Sequence, residues 1–93
     1  MAFYCYIVEC VDGSYYTGWT TDPIRREFQH NQGIGSAYTR HHRPVRLVYV
    51  ESQPDRSTAQ RREYALKRLT HAKKQALIDR QAYVHKRTEN STS

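Results

Sequence analysis

Tyr6, Tyr16, Arg26, His30 and Glu63 are residue types that handle protons, phosphate oxygens and hard cations, and local structure can bring them together in this 93-residue chain. Arg26 and His30 are four apart, so on a helix they share one face. Ile24 and Phe28 are also four apart, on roughly the opposite side, and are expected to face the core. An Arg/His helix face is ordinarily just solvated; a separate apolar face on the same short helix suggests that this one has a job. Glu63 lies four after Ala59 and three before Leu66, at the edge of a helix's apolar side. A carboxylate turned inward is costly unless paired or metal-bound. It reads either as a cation ligand or as half of a buried ion pair, with Arg26 the candidate partner.

The surrounding elements must position these groups. Residues 3–10, FYCYIVEC, are aromatic and β-branched enough for a strand. Tyr4, Tyr6, Val8 and Cys10 fall on one face and Phe3, Cys5, Ile7 and Glu9 on the other. Both faces are mostly apolar, which fits a central strand covered on both sides. Asp12-Gly13 signals a hairpin into a second strand over about Ser14 to Trp19. Parity then sets a condition. With a two-residue turn Cys10 would pair with Tyr15, and Tyr6 and Tyr16 would point to opposite faces. A shared site therefore requires an odd loop or a β-bulge, and one is expected near Gly13. Gly18 is expected either to mark a bulge or bend or to let backbone or substrate approach Tyr16.

Asp22 is expected to cap a helix with Pro23 at its first position, running to about Gln32 and ended by Gly33. Residues 33–44, GIGSAYTRHHRP, read as a long loop with Arg40, His41, His42 and Arg43 around Tyr38. Basic residues interleaved with an aromatic suit a phosphate backbone and a stacking base. In VRLVYVE, residues 45–51, Val45, Leu47 and Tyr49 alternate with Arg46, Val48 and Val50 as a third strand. Ser57 followed by Gln60 is a capping-box pattern for a helix to about Leu69. Thr70 can cap a short helix, HAKKQALID. The order ββαβαα suggests an α/β sandwich in one domain, residues 1–80, with a flexible tail at 81–93.

A net charge of +6 and a pI near 9.6 suit a polyanionic partner, although basic charge also keeps proteins soluble. No run of ~20 apolar residues is present, so nothing is expected to span a membrane. Met1 to Val11 has no basic lead and is interrupted by polar residues, which argues against a signal peptide and for a cytoplasmic location. Cys5 and Cys10 would lie about 16 Å apart along a strand, beyond the ~7 Å reach of a disulfide, and read as reduced. No closely spaced ligand pair such as CxxC exists, and His41-His42 are adjacent, so structural zinc is not expected.

Taken in order, Tyr4-Cys5-Tyr6, Tyr16-Thr17-Gly18, Arg26, His30 and the helical Glu63 resemble the motif set of the GIY-YIG nuclease superfamily. The first triplet stands in place of Gly-Ile-Tyr and the second in place of Tyr-Ile-Gly. GSAYTR, RPVRLVYVE and AQRREYALKRL extend the likeness over about residues 3 to 78. It is similar to the small stand-alone bacterial (YhbQ-like) branch, related to the N-terminal nuclease domain of the bacterial excision-repair nuclease. The resemblance implies a small three-stranded antiparallel sheet flanked by helices (α+β), and a metal-dependent DNA endonuclease in repair or processing. It implies that Glu63 holds one Mg²⁺ or Mn²⁺ and that Arg26 neutralises phosphoryl oxygens. Tyr6 would take a proton from the attacking water, its pKa lowered by nearby positive charge. Tyr16 would orient the water or bind phosphate, and His30 would relay a proton or hydrogen-bond a tyrosine. DNA is the expected partner, with RNA left open, for a monomer that borrows targeting from another protein. Many members carry a late asparagine near the site; here only Asn90 follows Glu63. Two other readings stand beside this one: a nucleic-acid-binding module without catalysis, and a small protein-interaction domain using the Tyr-rich sheet.

Overall fold

The structure is a computed structural model that describes the backbone of residues 2–92 and the side chains of residues 2–81. Strand β1 (Phe3–Cys10) lies between β2 (Tyr15–Thr20) and β3 (Val45–Gln53), antiparallel to both. Helices α1 (Pro23–Asn31), α3 (Arg56–Lys67) and α4 (His71–Thr92) complete the expected ββαβαα order. One element is additional. Residues 33–44 are not all loop: Ser36 caps a single turn, α2 (Ala37–Arg40), its hydroxyl accepting from Thr39 N at 3.1 Å.

The parity condition on the hairpin is met by a three-residue loop, Val11 to Gly13. Cys10 N donates to Ser14 O at 2.8 Å and Gly13 N to Cys10 O at 2.9 Å. Gly13 has φ +86°, a left-handed conformation that glycine adopts without steric cost. Tyr6 consequently pairs with Gly18 and Val8 with Tyr16, so both tyrosines lie on one face. No bulge interrupts β1–β2 at Gly18. The bulge lies in the β1–β3 pairing instead: Ile7 pairs with Tyr49 and Val8 with Leu47, leaving Val48 extra. The alternation expected for β3 therefore breaks, and Tyr49 packs on the face opposite Leu47.

Each face of the sheet has its own core. Tyr6, Val8, Cys10 and Val45 pack with Tyr16 and Leu47. On the other face Cys5, Ala59 and Leu66 pack with Phe3 and Trp19, and Ile7 and Tyr49 with Ile78. The helical packing covers β1 on both sides, as its two apolar faces require.

Helix α1 corrects one expectation. Ile24 and Phe28 are not core residues; they are 74% and 63% exposed. The inward side of α1 is polar because it meets the edge of β3. Asn31 Nδ2 donates to Val45 O and its Oδ1 accepts from Val45 N, at 3.0 and 2.7 Å. Glu27 accepts from Leu47 N at 2.6 Å. Further along, Gln81 of α4 bonds Val50 N and O at 3.2 and 2.7 Å. Side chains thus close an edge that would otherwise present unpaired backbone groups. Helix α3 carries a second correction. Its N-cap is Asp55, which accepts from Thr58 N at 2.7 Å, rather than Ser57. Asp55 follows Pro54 immediately, and the helix starts at the next residue, Arg56. Helix α4 is longer than the nine residues expected. The flexible tail expected at 81–93, and with it Asn90, falls almost entirely on residues whose side chains lie outside those described.

Candidate active site

Tyr6, Tyr16 and Gly18 of the hairpin meet Arg26 of α1 and Glu63 of α3 around one open cavity of about 430 Å³. Trp19, Thr20, Thr21 and Arg56 complete its wall. Four of the five candidate catalytic residues line it, and the fifth, His30, stands directly behind Tyr6. Tyr6 Oη and His30 Nε2 are 2.7 Å apart, and His30 Nδ1 lies 2.7 Å from Thr39 Oγ1. Thr39 in turn contacts Ser36 Oγ at 2.9 Å. His30 and Thr39 are inaccessible to solvent and Tyr6 almost so, so the chain is internal at its His30–Thr39 end and meets the cavity at Tyr6.

Two glycines make room for it. A Cβ on Gly18 would lie 2.5 Å from Tyr6 Oη, and one on Gly35 would fall on His30 Nδ1. Gly18 therefore serves Tyr6, its cross-strand partner, rather than access to Tyr16.

Burial pushes the Tyr6 hydroxyl up to about 12, with the neighbouring Arg26 guanidinium pulling the other way. The expected lowering of this pKa is not seen. Burial, aided by Arg26, pushes His30 down to about 4. At neutral pH His30 is therefore uncharged and Tyr6 protonated. Their protons can be assigned from that. Arg26 can only donate, so the Tyr6 proton has His30 Nε2 as its acceptor. The single His30 proton then sits on Nδ1 and is donated to Thr39 Oγ1. Thr39 passes its own to Ser36, whose carbonyl oxygen lies 3.3 Å away.

Glu63 is half-buried and does not pair with Arg26. Its ion pair is with Lys67, one helical turn on, at 3.7 Å. Arg26 bonds Gln29 Oε1 through Nη1 at 3.1 Å, and its Nε is buried without a partner. A buried unpaired guanidinium nitrogen is costly; Arg26 itself lines the open cavity, where its charge suits a phosphate. Among the described residues no three His, Cys, Asp or Glu gather into a closed metal cage. Glu63 is the carboxylate on the cavity wall, which suits a hard cation that keeps most of its shell as water and phosphate oxygen.

The basic segment divides. Tyr38 stacks on His42 at 4.1 Å between ring centroids and on Tyr16 at 6.1 Å, and its hydroxyl donates to Ser14 at 2.8 Å. His42 also lies 3.7 Å from Asp12. Arg40, His41 and Arg43 instead line a separate concavity with Asn31 and Pro44. Sequence reasoning missed Thr39, Ser36, Gly35 and Arg56. The spacing Ser36-x-x-Thr39 directly after Gly35 was the available signal for three of them.

The family model described as the GIY-YIG catalytic domain matches residues 2–76. A UPF0213 protein of Halobacterium salinarum is 52% identical over 73 residues, covering 78% of this chain and 95% of the relative. A UPF0213 protein of Desulfotalea psychrophila is 50% identical over 78 residues, 83% of this chain and 71% of the relative. The solution NMR structure of the UPF0213 protein BH0048 of Bacillus halodurans is similar with a TM-score of 0.54 at 47% identity, covering 85% of this chain and 84% of that one. An NMR structure of protein EF2693 from E. faecalis gives 0.59 at 38% identity, covering 89% and 88%.

Proposed function

Because the chain belongs to the GIY-YIG nuclease family, in its UPF0213 branch, we propose that it is a metal-dependent endonuclease that hydrolyses phosphodiester bonds in DNA. The observation that carries this reading is the convergence of Tyr6, Tyr16, Arg26 and Glu63 on one open cavity. Glu63 would hold a single Mg²⁺ or Mn²⁺, which when bound supplies charge neutralisation and a more acidic water.

The chain's own residues supply the rest. Arg26 offers its guanidinium to the phosphoryl oxygens, and a fixed cationic donor at the cavity wall stabilises charge that grows in the transition state. Tyr6 need not ionise to accept a proton. As the attacking water gives a proton to Tyr6 Oη, the Tyr6 proton can move to His30 Nε2, already its hydrogen-bond acceptor at 2.7 Å. Thr39 holds the imidazole in the tautomer that leaves Nε2 free to receive it. Tyr16 stands on the same sheet face and orients water or phosphate. A role in DNA repair or processing fits this chemistry and the basic surface.

The test is nicking of supercoiled, branched and single-stranded DNA, and of an RNA strand, with Mg²⁺ or Mn²⁺. Glu63→Ala serves as the control. Cutting that needs the metal and is lost in the variant is expected. Cutting that survives Glu63→Ala would remove the metal from this residue. Absence of cutting with salt-sensitive DNA binding retained would make the chain a binding module.

A further inference from the structure

A second cleft adjoins the first. It has a volume of about 260 Å³ and is lined by Tyr15, Tyr16, Thr17, Tyr38, Lys67 and Lys74. Tyr16 lines both cavities. The cleft lies over the outer side of β2, an edge strand. That edge differs from the edge of β3: among the described residues no side chain caps its backbone as Asn31, Glu27 and Gln81 cap β3.

Two groups of this cleft lack a partner within the protein, and an aromatic pair stands beside them. Lys74 is half-buried, yet among the described residues no carboxylate lies within ion-pair distance of it. Its burial and the nearby Lys67 both disfavour its charge. Two neighbouring ammonium groups with one between them paired, Lys67 to Glu63, leave a surplus of positive charge facing the space. The Thr17 hydroxyl, on a residue only 2% exposed, is buried with no hydrogen-bond partner. The rings of Tyr16 and Tyr38, 20° from parallel, form an aromatic wall beside these groups. A surplus positive charge next to an aromatic wall is a combination that binds one nucleotide of a single strand. The cations take phosphate and the ring takes the base face.

We propose that the cleft between β2, α2 and α4 is a nucleotide subsite for a single-stranded segment of the nucleic-acid substrate. Lys74 and Lys67 hold the phosphate next to the one that is cut, and the base packs against the edges of the Tyr16 and Tyr38 rings that line the cleft. The subsite rests on the nuclease reading of the adjoining cavity and gives the strand a direction, from Glu63 past Tyr16 toward α4. A substrate with an unpaired stretch is therefore preferred to a continuous duplex.

The probe is a fluorescein-labelled 12-nucleotide single strand carrying 5-iodouracil, in Ca²⁺ to hold off cutting. Binding is read by anisotropy across a salt series. Lys74→Gln is compared with Lys73→Gln, an exposed neighbour that does not line the cleft. Lys74→Gln is expected to weaken binding several-fold and to reduce the slope of log K against log salt by about 0.7, one single-strand phosphate contact. Lys73→Gln is expected to match the wild type. Photocross-linking is expected to place the iodouracil on the peptide containing Tyr38 or the one containing Tyr16. If the wild type binds but Lys74→Gln behaves like Lys73→Gln, or the cross-link maps elsewhere, the subsite is overturned while the nuclease reading stands. If the wild type shows no salt-dependent binding, the nucleic-acid reading fails and takes the subsite with it. An unlabelled protein that dimerises through β2, with the dimer lost on adding the strand-breaking variant Thr17→Pro and no oligonucleotide bound, would assign the open edge to a second copy instead.

Discussion

The Tyr6–His30–Thr39 chain makes claims about single protons. His30 carries its proton on Nδ1 because Tyr6, flanked by His30 and the donor-only Arg26, must donate to Nε2. Thr39→Val keeps the shape and removes the acceptor. Nitrogen NMR of the imidazole is expected to report Nδ1–H in the wild type and a shift toward Nε2–H in the variant. Nicking is expected to fall by up to about 10²-fold, the low end of an acid–base contribution. Thr39→Ser should restore both, whereas a role in packing alone would leave the tautomer unmoved. The same histidine sets a pH dependence. Its folded pKa, about 4, lies below the ordinary 6.5, so between those values the unfolded chain binds a proton that the folded chain refuses. Stability is then complete above about pH 6.5 and declines as pH falls toward 4. A loss on the order of 1 kcal/mol is expected between pH 7 and 5.5, before carboxylates titrate. Urea midpoints at the two pH values test it, and His30→Gln should flatten the difference; an unchanged difference in the variant would place the titration elsewhere.

At the scale of elements, α1 works as a clamp on the β3 edge rather than as a core helix. Glu27→Ala would leave Leu47 N–H without its 2.6 Å acceptor, at a cost of about 1–3 kcal/mol. Ile24→Ser and Phe28→Ser, on the exposed side, are expected to stay within about 0.5 kcal/mol of the wild type. Urea denaturation of the three variants decides between this arrangement and an apolar inward face, which would reverse the ranking. The contrast also shows where the sequence was legible. Strand parity is a counting argument, and it required an odd loop or a bulge near Gly13 if Tyr6 and Tyr16 were to share a face; the three-residue loop meets it. Amphipathicity assumes that the apolar side of a helix turns inward, and it misled for Ile24 and Phe28 because a sheet edge asks for hydrogen bonds, which Glu27 and Asn31 supply. The break at Val48 left no local mark, since it is a register shift decided by the partner strand. Helix α2 is a single turn, too short for periodicity to register, and the Ser36 cap was its sole trace. Tyr6, Tyr16, Arg26 and Glu63 were reached through motif order. Thr39 was not, because its part depends on contact with a residue nine positions away.

Over the whole molecule, the described cations fall in several places. The net charge is +6. Arg40, His41 and Arg43 cluster by Asn31 at the C-terminal end of α1, while Arg26 in its first half faces the candidate active cavity. Lys67 and Lys74 lie beyond Tyr16. A nucleic acid crossing the cavity would therefore meet cations on more than one side, and these should differ in what they control. Contacts to phosphate away from the cutting point fix affinity without sequence information. Arg40→Gln is expected to weaken duplex binding about equally for every sequence and to lower the salt slope by about 0.9. The positions of cuts on a branched DNA should stay unchanged, because no group at the cavity is altered. Mapping the cuts on a sequencing gel, alongside anisotropy at several salt concentrations, separates the two effects. If Arg40→Gln moved the cuts while leaving the slope intact, the far cluster would be positioning the branch rather than adding general affinity, and the division of the 33–44 segment into a stacking half and a phosphate half would have to be redrawn.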